Sequence, residues 1–247
     1  VFPYPVMVPE ASANVLREYV AAGGTLVAEA RLAWKNEMAY ASDRIPGLGL
    51  WEVMSAREIA VQTGANGRTE LRWDSDDIPG VKPGDRLRAR WYEETLEPLG
   101  PDARVVARFE HGGAAAVLGK YGKGRTLLLG SYVSAAYQTA PTEEVERFYV
   151  GLLAWAGVTL PVTTSGAPME VRHLESGNDA IVFVFNQGAA RATGNVSLRL
   201  ASGDYTGKDL VTGDSVTLGR DGGGLSFEVA LEAKHVAVVH LTRAAAR

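Results

Sequence analysis

At Pro161 the hydrophobic pattern of this chain changes period, and that change constrains the fold more than any other feature of the sequence. Upstream, two stretches carry apolar residues at helical spacing, with short apolar or alternating runs between them. Downstream, "PMEVRHL", "AIVFVFNQG", "NVSLRLA", "KDLVTG", "DSVTLG", "LSFEVAL" and "HVAVVHL" follow one another, separated by glycine, asparagine and aspartate. Val196, Leu198 and Leu200 alternate, as do Leu225, Phe227, Val229 and Leu231. Period-two runs with turn residues between them predict a small antiparallel sandwich. The upstream part predicts an α/β unit, so the chain divides into residues 1–160 and 161–247.

Within the first part, "EASANVLREYVAA" places Val15, Leu16, Tyr19 and Val20 at helical spacing. Gly23-Gly24 stops that helix, and "TLVAEA" follows as a buried parallel strand. The second helix lies in "TEEVERFYVGLLAWAG", with Val145, Phe148, Tyr149, Leu152 and Leu153 on one stripe, Thr142 as its cap and Gly157 as its stop. "EIAVQ", "RLRARWYEE", "ARVVARFE", "AAAVLGKYG" and "GRTLLLGSY" read as strands between the helices. A mixed sheet is therefore expected. "YGKGR" reads as a hairpin turn. The opening "VFPYPVMVPE" reads as the end of a buried strand stopped by proline, which points to a cut inside a strand. The closing "RAAAR" reads as a frayed tail.

Bulk properties exclude several classes of function. The net charge is −4 and no basic run occurs, which argues against a nucleic-acid surface. There is no cysteine, so disulfides, thiolate nucleophiles and cysteine–zinc sites are absent. No apolar run reaches the length of a membrane span, and the start lacks signal-peptide order. A cytoplasmic bacterial protein with no cofactor and no metal is expected.

The candidate catalytic groups fall short of any catalytic pattern. His111, His173, His235 and His240 lack metal-site spacing, and His235 and His240 read as opposite faces of one strand. Gly130-Ser131 lacks the second glycine of a nucleophile elbow. "RDGGG" lacks phosphate-loop spacing. Ser75–Asp77 reads as a solvated turn. Of the carboxylates, Glu93 and Glu94 must face opposite ways on a strand, while Glu29 and Glu37 converge only if their loop folds back.

The densest stretch is Gly23–Val53. A strand delivers Arg31, Trp34, Asn36 and Glu37 to one loop, and "IPGLGLWEV", with Trp51, closes it. Loops at the carboxyl ends of strands in α/β sheets are where ligands approach. Three readings fit: an assembly module, a free-standing carbohydrate-binding pair of domains, and an α/β hydrolase using Ser131 or Ser134 with a histidine. In the first two, Arg31, Trp34, Asn36, Glu37 and Trp51 are binding or interface residues. No catalytic residue is assigned.

The residues "LREYVAAGGTLVAEARLAWKNEMAYASDRIPGLGLWEVMSARE", and then "YGKGRTLLLGSY", resemble the trimerisation domain of glycoside hydrolase family 42, the β-galactosidases. The β-rich tail resembles that family's small C-terminal sandwich. The resemblance implies a flavodoxin-like mixed sheet with flanking helices, similar to class-I glutamine amidotransferases. Amidotransferase chemistry itself needs the cysteine that this chain lacks. The family's catalytic glutamates lie in a TIM barrel, for which this chain has no counterpart. Implied partners are other copies in a homotrimer, an upstream barrel and galactosides, with neither nucleic acid nor membrane among them.

Overall fold

The computed structural model describes residues 1–221 and 224–244; the predicted tail "RAAAR" and the "RDGGG" loop fall partly outside them. The chain forms two compact units, Val1–Val158 and Thr159–Arg247.

The first unit opens with α1 (Glu10–Ala21) and β1 (Thr25–Ala28), then α2 (Leu50–Met54), and continues through a long hairpin of β2 (Ala56–Trp73) and β3 (Arg86–Pro98). β4 (Arg104–Arg108), β5 (Ala114–Tyr121), β6 (Gly124–Leu129), α3 (Val133–Thr139) and α4 (Glu143–Trp155) complete it. The six strands form one sheet in the order β1-β6-β5-β4-β2-β3. β1 runs parallel to β6 and the remaining pairs are antiparallel. This is the mixed sheet with flanking helices that the pattern predicts. The β5–β6 turn needs its glycine: Gly122 has a φ of +57°, as a two-residue hairpin with glycine in the first position demands. Phe2 bridges Ala28 in parallel, so the first residues do lie against β1.

Strand alternation sorts the core onto the two faces of this sheet. Val27, Leu127 and Leu129 point to one side, with Val145, Phe148 and Leu152 of α4 packed among them. Leu26, Ala28 and Leu128 point to the other, against Val20 of α1 and Leu50, Val53 and Met54 of α2. The α4 stripe therefore behaves as its spacing predicts. The α1 stripe is displaced: Ala13 and Val20 are buried, whereas Val15 and Tyr19 are exposed. Tyr19 has a local task instead, its ring covering Gly24 and its hydroxyl meeting the backbone of Thr25 at 3.3 Å. Thr142 stands at the N-cap of α4 in extended backbone, but its side chain makes no cap hydrogen bond. Gly157 closes the helix at a φ of +69°, donating to Ala154 O.

The second unit is a sandwich. One sheet has the order β13-β14-β10-β7 and the other β12-β11-β15-β9-β8. Their strands are β7 (Val162–Gly166), β8 (Glu170–Ser176), β9 (Asp179–Phe185), β10 (Ala192–Leu198), β11 (Tyr205–Asp209), β12 (Ser215–Val216), β13 (Gly219–Asp221), β14 (Gly224–Leu231) and β15 (Val236–Arg243). The core lies between the sheets, with Val196, Leu198 and Phe227 from one and Val182, Val184, Val239 and Leu241 from the other. Two strands escape the sequence pattern, β7 and β13, because polar residues and glycine dominate them; ladder bonds to β10 and β14 hold them instead. His235 falls just before β15 rather than within it.

Candidate functional site

β1 ends at Ala28, and the next three residues, Glu29, Ala30 and Arg31, are buried. Glu29 turns towards α3. Its carboxylate accepts from Ser134 N at 2.7 Å and from Ser134 Oγ at 2.5 Å, capping the first turn of that helix. Burial raises its pKa above the ordinary carboxylate value, and the bonds from Ser134 offset part of that rise.

Arg31 adopts a left-handed φ of +61°, and its side chain is buried. There the guanidinium pairs with Glu58 of β2, while the Arg31 backbone N–H donates to Glu94 of β3 at 3.1 Å. Glu94 reaches this point because β3 runs on past β4 to the end of β6. Glu94 N donates to Gly130 O at 2.8 Å, and a Cβ on Gly130 would lie 2.2 Å from Glu94 O. Only glycine permits that approach.

Glu94 is fully enclosed, and burial first, then its neighbour Glu58, push its pKa well above the ordinary value. Its Oε1 receives no hydrogen bond. The raised pKa favours the protonated acid, which can donate to the neighbouring Glu58. The group is thus one guanidinium and two carboxyl groups held together. Aromatic rings enclose it: the Arg31 guanidinium lies 4.3 Å from the Trp34 ring centre and 5.8 Å from that of Tyr92. Tyr132 is buried beside Tyr92 and carries Tyr4 (5.2 Å) and Trp91 (5.5 Å). Tyr4 and Trp91 hold φ angles of +50° and +70° and remain partly open to solvent. Strained bulky residues of this kind persist only where their surroundings hold them.

Arg31 and Trp34 therefore come together, and the other three candidates do not join them. Asn36 Oδ1 accepts from the backbone of Met38 and Tyr40, both at 3.0 Å, forming a local turn. Glu37 accepts from Glu10 N at 3.2 Å, at the start of α1. Trp51 lies in α2 with Arg44 stacked 4.4 Å over its ring. Glu58, Tyr92 and Tyr132, which complete the Arg31 site, lack a sequence signal. Glu58 and Tyr92 sit in strands and Tyr132 just before α3, and each looks like an ordinary surface or core residue until the sheet curls.

The catalytic alternatives find no geometry. Glu29 and Glu37 serve separate helix ends. Glu93 and Glu94 do face opposite ways: Glu93 accepts from Gln62 and Thr69, both at 2.6 Å. Glu58 and Glu94 do meet, but in direct contact, whereas glycosidase carboxylates stand about 5–10 Å apart with the sugar between them. Ser131 donates to Arg90 O at 3.1 Å and Ser134 to Glu29, so both serines are engaged away from any histidine. Asp77 of the "SDD" turn pairs with Arg104. Among the described residues no group of three or more His, Asp or Glu side chains is arranged to hold a metal, and no helix is long and apolar enough to cross a membrane.

Residues 1–159 match the family model of the β-galactosidase trimerisation domain. The chain belongs to that family. Solved structures share the fold of this trimerisation-domain chain and its sandwich. A β-galactosidase from Bacillus circulans sp. alkalophilus is 20% identical with a TM-score of 0.74, covering 98% of this chain and 32% of its own. A catalytic mutant of a glycoside hydrolase family 42 β-galactosidase from G. stearothermophilus is 21% identical with a TM-score of 0.70, covering 98% and 31%. An α-L-fucosidase isoenzyme from Paenibacillus thiaminolyticus is 13% identical with a TM-score of 0.65, covering 99% and 40%. The chain thus spans about a third of the length of the β-galactosidases it resembles. Among curated proteins, no sequence matches it.

Proposed function

We propose that this chain is the non-catalytic assembly portion of a longer β-galactosidase-like glycoside hydrolase. Residues 1–160 pack copies of the enzyme about a three-fold axis, residues 161–247 form an accessory sandwich, and the loop from Arg31 to Glu37 lines the sugar cleft of a barrel on the same polypeptide. One observation carries this reading: the Arg31 loop is locked by buried ionic and aromatic contacts that leave no reactive group free, while its outer side offers apolar surface. Met7 is bridged to Lys35, and Lys35 to Ala41, so the first residues and the loop lie side by side. On them Met7, Met38 and Tyr40 are 52%, 69% and 71% exposed. Rigid loops with exposed apolar side chains suit contact with a partner.

Sedimentation of the purified chain tests this. A species of three times 26.3 kDa is the expected result, and a monomer at about 100 μM would sink the assembly role of this segment. Chromogenic galactosides should not be cleaved; turnover would show that catalytic groups lie within these residues. A second reading, saccharide binding by the chain alone, draws on the partly exposed Tyr4–Trp91 pair, with ring centres 5.9 Å apart. Calorimetry with galactosides, repeated on Trp34→Ala and Trp91→Ala, distinguishes the two readings: heat lost in either variant favours binding, and silence in the parent removes it.

A further inference from the structure

The outer face of the β2–β4 strands holds another cluster of charge in the first unit, made of residues other than those of the Arg31 site. It forms a cavity of about 730 Å³, lined by six arginines against three glutamates, in a protein whose net charge is −4. That volume is ordinary for a small-molecule site. Strand register makes the arrangement specific. Arg68 lies directly opposite Arg90, and Arg72 directly opposite both Arg86 and Arg108. Like charges placed opposite one another across a ladder destabilise a sheet. Three such pairs on one face form a costly arrangement for a surface with no task.

Neighbouring acids relieve only part of this charge. Arg86 meets Glu70 at 3.3 Å, and Arg72 and Arg108 share Asp74 at 3.5 and 3.6 Å. Arg90 donates twice to Thr139 Oγ1, at 2.9 and 3.2 Å. Arg68 and Arg88 have neither an acidic nor a hydrogen-bonding side-chain partner among the described residues. Both line the cavity, Arg88 opposite Glu70 and Arg68 opposite Arg90.

We infer that this cavity is a binding site for a small ligand bearing two or more oxyanion groups. Planar guanidinium forks bind phosphate, sulfate and carboxylate in the same bidentate way. Alternate residues along a strand repeat at about 6.8 Å and adjacent strands at about 4.8 Å, so the forks suit anionic groups about 5–7 Å apart. The bound anion removes the repulsion that the register builds in.

Calorimetry on the 247-residue chain at low salt tests the site with three probes: tripolyphosphate, citrate and the neutral sugar lactose. The two anions should bind, more weakly as salt rises, and lactose should give no heat at this face. A stronger response to tripolyphosphate assigns phosphate esters as the source, and one to citrate assigns carboxylates. The double variant Arg68→Gln/Arg88→Gln should lose at least tenfold in affinity and unfold at no lower temperature than the parent. Arg104→Gln, which removes an exposed arginine outside the cavity, should bind as the parent does. Absence of heat with both anions, or equal loss in Arg104→Gln, overturns the site. So does self-association by light scattering that the double variant abolishes, since the face would then belong to a second copy of the chain.

Discussion

Eight non-glycine residues of Val1–Val158 hold a left-handed backbone angle, whereas Lys234 alone does so among the described residues of Thr159–Arg247. Buried polar groups divide in the same way. The first unit encloses Glu29, Arg31 and Glu94, all ionisable, whereas among the described residues the second encloses only the neutral Asn186 and Ser226. A sandwich of alternating strands needs little else, since its two inner faces meet and exclude water. The first unit spends stability on holding one loop and one strand in an unfavourable geometry. Strain and buried charge kept together in one place mark a surface shaped for a purpose other than folding.

Substitutions can break or sharpen that contrast. The largest effect is expected for Arg31→Ala, which leaves the buried Glu94 and the half-buried Glu58 without their cation. It should cost about 3–5 kcal/mol in urea denaturation, far more than loss of an exposed ion pair. If the loss is below about 1 kcal/mol, the ionic cluster does not hold the loop. Next comes Asn186→Ala in the second unit. Its amide donates to Ala190 O at 2.8 Å and to Leu231 O and Glu232 O at 3.0 Å each, so removal strands buried acceptors. A loss of about 1–3 kcal/mol is expected by the same assay. A value matching Arg31→Ala would erase the distinction between the units.

The third test uses pH. Folded Glu94 keeps its proton above the ordinary value of 4.5, at which the unfolded chain releases it. Unfolding in that window therefore releases a proton, and stability falls as pH rises through the folded-state value. Glu29 shifts in the same direction. Glu94→Gln cannot ionise, so its stability relative to the parent should improve as pH rises above 4.5, with a residual slope from Glu29. An unchanged slope would show that Glu94 is ionised when folded. The smallest effect is expected for His240→Ala in the second unit. His240 sits 2.8 Å from Asp179 on the surface, and its loss should cost less than about 1 kcal/mol.

Much of this fold was readable along the chain. The stripe of Val145, Phe148 and Leu152 and the alternation of Val196 and Leu198 are local periodicities, and each element buries the side they indicate. The Gly122 turn was legible for the same reason. The α1 stripe misled because Tyr19 and Val15 are large and apolar yet face solvent, where Tyr19 shields Gly24. At the candidate site the sequence offered Arg31 and Trp34 but not Glu58, Tyr92 or Tyr132. Those residues come from separate strands and meet only because β3 crosses to the end of β6.

Period and punctuation alone determined that a mixed α/β unit precedes a sandwich, since both depend on which neighbours a side chain has within its own element. The absence of cysteine likewise ruled out thiol chemistry from the sequence alone. Only the tertiary structure decided which charges are buried, which carboxylates touch and which arginines confront one another. Those outcomes depend on strand register and on the curl of a sheet, where residues such as Arg31 and Glu94, 63 positions apart, become neighbours. Exclusion of water then raises the pKa of Glu94.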